Sequence, residues 1–211
     1  ESRSLRQPHS LREARDDLRP LLLLHGLGEC SPTVVPEELD AWPGPIYALD
    51  FTGHGRSTLP RGGGYTAEVL MGDVDAALAA LGPVTVAGRG LGAWVALLIA
   101  GGRPREVRGV ILRDGPGLAG GGPRPSSTSV VWVDPQAPTP PDGFALAELS
   151  HDVRPPEYAT SFARQAAALS GISRPISICT AERVPWVLAL LEESGVEETT
   201  LAEALTHYAM G

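Results

Sequence analysis

The stretch Val84–Ala100, VTVAGRGLGAWVALLIA, constrains the fold more than any other part of the chain. A short β-branched run meets a knot of three glycines, and an apolar, helix-like segment follows. A strand therefore passes into a helix through a turn that side chains would obstruct. Similar runs stand on both sides. PLLLL at 20–24, PIYALD at 45–50 and GVILRDG at 109–115 are apolar runs that end in loop residues. Continuous rather than alternating apolar strands fit a parallel sheet covered on both faces. Between them, Thr66 can cap a segment carrying Val69, Leu70, Val74, Leu78 and Leu81 at helical spacing, ended by Gly82-Pro83. Leu91–Ala100 reads as a buried helix stopped by Gly101-Gly102. Strands alternating with helices predict an α/β chain, a mostly parallel sheet with helices on both faces.

The pattern is weaker elsewhere. Residues 1–19 are polar and Arg-rich, an edge strand or an arm. Residues 115–143 are dense in Gly, Pro and Ser, with one strand-like island, SVVWVD at 129–134. Helical segments are expected over 144–150 and 156–170, a strand within 169–182, and a helix over 184–193. A short last strand at 196–200 precedes a final helix at 201–210. With no internal repeat, the expectation is one domain over 1–211. Its core spans about 20–114 and 173–211, and a reduced, irregular cap over about 115–172 lies above the C-terminal edge of the sheet.

Composition narrows the function. A chain of 211 residues, 43% hydrophobic with mean hydropathy near zero, can bury a sizeable core. No apolar run approaches the roughly 18 residues of a membrane span. No cationic leader is evident, so the expected location is cytoplasmic with no membrane partner. A net charge of −8 argues against nucleic acid. Cys30 and Cys179 form neither a metal-ligand spacing nor a disulfide framework. All 17 basic residues are arginine, which excludes a P-loop lysine, a Schiff-base lysine and a Ser-Lys dyad.

Three motifs then fall in a telling order: His25-Gly26 after the first strong strand, DFTGHGRS at Asp50–Ser57, and the glycine turn at Gly88–Gly92. The intervening helix YTAEVLMGDV at Tyr65–Val74 fits the same series. Together they resemble the α/β-hydrolase superfamily, closely over about 20–115 and more loosely over 169–193, with an actinobacterial flavour of composition. The resemblance implies a nucleophile elbow G-x-S-x-G at Gly88–Gly92 and an oxyanion hole built from the backbone amides near Leu27 and at Leu91. The nucleophile position, however, is Gly90. The resemblance also implies a histidine after the last strand. If 176–180 is the penultimate strand, Glu182 stands near the acid position. If 130–133 is penultimate, Asp134 takes that role and 176–180 is last. No suitable histidine follows in either register, because His207 lies inside the final helix. Losing a triad serine or histidine costs on the order of 10⁶ in turnover.

The expected protein is thus a pseudo-hydrolase with no catalytic residue and no cofactor, binding a small molecule or serving as a scaffold. Its vestigial pocket would comprise His25, Gly26, Leu27, Arg89, Gly90, Leu91, Asp114 and Glu182, and a homodimer is allowed. His25 has an equally simple reading as a turn residue whose ring bonds neighbouring backbone. Arg89 could meet an anionic ligand or pair at the rim, and His54 and Arg56 read as loop organisers. Two other readings stay open. Gly88-Arg89-Gly90-Leu91-Gly92-Ala93 also satisfies G-x-G-x-x-A, with Asp114 placed for a ribose, although two motif-bearing strands precede it. An active hydrolase with a non-standard nucleophile would turn first to Cys30, with Asp114, His151 or Glu182 approaching it.

Overall fold

The computed structural model describes residues 4–8, 15, 17–121, 133 and 137–210. Among these, seven strands form one sheet: β1 (Ser4–Arg6), β2 (Leu21–Leu24), β3 (Ile46–Asp50), β4 (Val84–Arg89), β5 (Val107–Arg113), β6 (Ile176–Cys179) and β7 (Val196–Glu198). Their spatial order is β1-β3-β2-β4-β5-β6-β7, and only the edge strand β1 runs antiparallel. The described helices are α1 (Ala67–Leu81), α2 (Leu91–Gly102), α3 (Gly143–His151), α4 (Pro156–Leu169), α5 (Pro185–Leu190) and α6 (Leu201–Ala209). A short 3₁₀ turn covers Glu37–Leu39.

The run of four leucines in β2 now has its reason. Leu22 and Leu24 join the core under α1 and α2, while Leu21 and Leu23 join a second core with Leu39, Trp42, Leu205 and Tyr208. Successive side chains of a strand point to opposite faces, so a sheet covered twice needs both sets apolar. Helix α2 is buried from Leu91 to Gly101 and packs against the sheet, α1 and α4. Thr66 caps α1 by accepting from the Val69 amide, and a reciprocal Thr200–Glu203 capping box opens α6.

Strand β6 pairs on one side with β5, Val110 opposite Ile176, and on the other with β7, Ile176 opposite Val196. The stretch 176–179 is therefore the penultimate strand. The competing island at 129–134 lies outside the described residues except for Val133, which sits in no strand. Four local expectations shift, one being the helix expected over 184–193, which ends at Leu190. β5 begins at Val107 rather than residue 109. Val69 is 42% exposed despite its spacing, because Leu70, Val74 and Leu78 already fill the buried side of α1. Helix α2 also continues through Gly102. Gly101 does not stop that helix; it admits a neighbour, since a Cβ there would lie 2.7 Å from Phe162 of α4.

Candidate active site at the β4–α2 turn

The chain leaves β4 at Arg89, reverses at Gly90 and enters α2 at Leu91. Gly90 has φ 59° and ψ −117°, a conformation that an L side chain adopts only under strain. Two loops flank the turn, one after β2 at 25–31 and one after β5 at 114–121. The turn's amides are bonded to both: Gly92 N–H donates to the His25 carbonyl at 3.1 Å, and Gly90 N–H to the Arg113 carbonyl at 3.0 Å.

The two amides expected to form an oxyanion hole do converge. Leu27 N–H and Leu91 N–H each donate at 2.9 Å to one oxygen, the carbonyl of Pro116. A carbonyl of the chain itself thus occupies the point on which the two amides converge. The same peptide fills the nucleophile's space, because a Cβ on Gly90 would stand 2.1 Å from the Pro116 oxygen and 2.6 Å from the Gly115 carbonyl carbon. Leu118 anchors this segment. Its side chain is fully buried, its N–H donates to the Gly115 carbonyl, and its carbonyl accepts from Trp186 Nε1 at 2.9 Å and from Arg154 Nη1. Arg154 is itself buried, with its guanidinium carbon 5.8 Å from the centre of a Trp94 ring, and burial pushes its pKa down to about 9.

His25 organises the loop after β2. The Phe51 amide donates to its Nε2 at 3.1 Å, so the proton rides on Nδ1, which donates to the Gly26 carbonyl at 2.8 Å. Burial lowers its pKa, and the neutral ring packs against Phe51 and His54. His54 is fully buried and pushed down to about 3 by burial and by the neighbouring His25. Asp50 joins the first and second motifs. Its carboxylate accepts from the Ser31 and Arg56 amides at 2.7 and 3.0 Å and from Arg6 at 2.8 Å. Burial alone would raise its pKa, but these donors bring it below the ordinary carboxylate value.

The remaining expected residues occupy separate places. Arg89 lies at the rim, with Nε and Nη2 on the Glu29 carboxylate and Nη1 on the Asp114 carbonyl. Asp114 accepts from the Ala181 and Glu182 amides at 2.7 and 3.0 Å, which ties β5 to the loop after β6. Beyond β7 stand Thr199 and Thr200, both bonded to Glu203. His207 contacts Arg174, and the His151 ring bonds the Ala147 carbonyl of its own helix at 2.7 Å. Among the described residues, none of these histidines bonds to the turn.

Beside the turn is a cavity of about 280 Å³. Leu23, Leu39 and Ala87 give it apolar walls, Cys30 and Ser31 line it from the loop after β2, and Arg89, Arg113, Glu29 and Glu38 supply its charges. Of the expected pocket, His25 and Arg89 line this cavity. Gly26, Leu27, Gly90 and Leu91 are buried around the filled turn, and Asp114 and Glu182 belong to the β5–β6 loops. Sequence reasoning missed Pro116, Leu118, Trp186 and Arg154 around the inserted peptide, and Arg113, Glu29 and Glu38 at the cavity. The turn signal Gly115-Pro116-Gly117 was available; its reach to Gly90 was not.

The dinucleotide reading gains no support from this geometry. The amides of Gly90, Leu91 and Gly92 are all engaged by the chain, and the Asp114 carboxylate is occupied by two further amides. A pyrophosphate needs those amides free at the helix N-terminus. Among the described residues no group of three or more His, Cys, Asp or Glu is placed to hold a metal ion, and no helix is long and apolar enough to cross a membrane.

A mostly parallel sheet, a strand-to-helix reversal at positive φ and two converging amides beside it define the α/β-hydrolase class. The chain matches the model of the alpha/beta hydrolase family over residues 21–208 and belongs to that family. Among solved structures it is similar to a monoacylglycerol lipase from Paleococcus ferrophilus, with 19% identity, TM-score 0.63, and coverage of 95% of this chain and 88% of that one. It is also similar to a carboxylesterase structure from Nitrososphaera gargenis, at 14% identity and TM-score 0.60, covering 99% and 92%. A third is the ferulic-acid-bound Est1E of Butyrivibrio proteoclasticus, at 11% identity and TM-score 0.59, covering 99% and 92%. At such identities the likeness speaks for the fold alone. No curated protein matches the chain.

Proposed function

We propose that this protein is a non-hydrolytic member of its family, a binding protein that keeps the hydrolase architecture without its chemistry. The observation that carries the reading is the Pro116 carbonyl, bonded to the Leu27 and Leu91 amides at 2.9 Å each. Acyl hydrolysis needs a nucleophile, a base to take its proton, and donors for the developing oxyanion. Position 90 is glycine, Thr199 and Thr200 stand where a base would follow the last strand, and the donors already hold an oxygen of the chain. What an incomplete triad ordinarily retains, roughly 10³–10⁴-fold over water, comes from the oxyanion hole and binding. Here the hole is filled as well.

A cysteine nucleophile gains no support from the site. The thiolate is the attacking form, and burial together with the nearby Asp50 raises the Cys30 pKa above its ordinary value. Binding is supported by the neighbouring cavity, which lies at the C-terminal ends of parallel strands, where open α/β sheets hold ligands. The reading includes a cytoplasmic protein whose two cysteines are unpaired. The test is incubation of the purified protein with a fluorophosphonate probe and with p-nitrophenyl butyrate. The expected result is no labelling and no turnover above buffer. Stoichiometric labelling, or turnover like that of a working esterase, would overturn the reading.

A further inference from the structure

We propose that the cavity between Arg113 and the loop after β2 binds a small molecule with an apolar body and a single carboxylate, taken by the Arg113 guanidinium. This rests on the reading of the protein as a binding protein and names the ligand class of its pocket.

The walls set the body of the ligand. Leu23, Ala87 and Leu39 present apolar surface from β2, β4 and the 3₁₀ turn. A volume of about 280 Å³ is at the small end for ligand pockets, which suits a body of one ring or a short alkyl chain.

The charges set its head group. Arg89 is saturated, with Nε and Nη2 on Glu29 and Nη1 on the Asp114 carbonyl. Arg113 is not. Only its Nη2 is engaged, by Glu38 at 2.8 Å; among the described residues its Nε and Nη1 have no acceptor, and the side chain stays 22% exposed. A guanidinium with unused donors beside an apolar wall favours a carboxylate, because its planar donors match carboxylate oxygens. Two arginines and two glutamates leave the four charges balanced. One added negative charge can be met by Arg113, whereas a dianion such as phosphate is opposed by Glu29 and Glu38. The Cys30 thiol stays neutral and adds no repulsion.

The experiment titrates the full chain with hexanoate and with phenylacetate, followed by backbone amide NMR. Hexanamide, phenylacetamide and inorganic phosphate serve as controls. Both carboxylates should shift the Cys30, Ala87 and Arg113 amides saturably, with the neutral amides and phosphate weaker by roughly tenfold or more. Arg113→Gln should weaken the carboxylates by roughly tenfold and leave the amides unchanged. Glu38→Gln, which releases Arg113 from its pair, should tighten the carboxylates. Equal affinity for acid and amide, an inert Arg113→Gln, weaker binding in Glu38→Gln, or no saturable shift at these amides would each overturn the proposal. Ester turnover by the wild type is read separately. It would sink the non-hydrolytic reading while the titration still reports on the cavity, and a flat titration would leave that reading untouched.

Discussion

A Cβ on Gly90 would lie 2.1 Å from the carbonyl oxygen of Pro116, far inside any tolerable contact. The residue at the turn and the peptide above it are therefore mutually exclusive: a side chain at 90 evicts the 115–116 peptide, and the peptide in place requires glycine. The same oxygen satisfies the Leu27 and Leu91 amides, which would otherwise be buried donors without an acceptor. The glycine at 90 and the seat of the Pro116 carbonyl on the Leu27 and Leu91 amides are thereby parts of one local arrangement.

Gly90→Ser should destabilise the protein. The positive φ alone costs about 1–3 kcal/mol for a residue with a side chain, and the displaced peptide adds to it. Urea denaturation should show the loss as a lower midpoint. The variant should stay unlabelled by fluorophosphonate, because among the described residues no base stands beside the turn to take the serine proton. Adding Thr199→His is expected to be necessary for any labelling. Turnover in Gly90→Ser alone would expose an overlooked base.

Removing the anchor should loosen the inserted peptide without touching the turn. Leu118→Ala empties a fully buried site, with an expected cost of about 2–5 kcal/mol. Trp186→Phe removes one donor to the Leu118 carbonyl, for about 1 kcal/mol. In both, the Leu27 and Leu91 amides should exchange with deuterium faster than in wild type. Unchanged exchange would mean that Leu118 does not hold the segment.

Acid should weaken the fold before the carboxylates titrate. His25 and His54 are both depressed in the folded state, His54 to about 3, whereas an unfolded histidine binds its proton near 6.5. The unfolded chain therefore takes up more protons as pH falls through about 6.5, and stability drops in that window. Asp50 acts lower. Its depressed carboxyl contributes stability above about 4 that is lost as pH falls through its folded pKa. Each histidine contributes up to about tenfold in the folding constant per pH unit. His54→Phe should remove its share of the slope between pH 6 and about 4.5, seen in denaturation series. A flat profile from pH 7 to about 4.5 would contradict the buried neutral rings.

What the sequence disclosed was what local chemistry determines. Thr66, Gly82-Pro83 and the apolar runs located α1, β2, β3 and β4 because caps, breakers and burial act over a few residues. The glycines of Gly88–Gly92 marked the tight strand-to-helix turn at Gly90 for the same reason. The simple reading of His25 as a turn residue also matches its two bonds to backbone groups. The inserted peptide was hidden because a carbonyl is common to every residue. Nothing in Gly115-Pro116-Gly117 says which amides it will meet across the sheet. The cavity was hidden likewise, since Arg113 and Glu38 are 75 residues apart and meet only in the folded chain.

The central claim, that the chain's own carbonyl fills its oxyanion hole, is tested most directly by scalar coupling across hydrogen bonds. A long-range NMR experiment correlating amide protons with carbonyl carbons, on uniformly labelled wild type, should connect both the Leu27 and Leu91 amides to the Pro116 carbonyl, and both amides should exchange slowly. Absence of both couplings, with the two amides exchanging as fast as open loop residues, would show an empty hole and contradict the account.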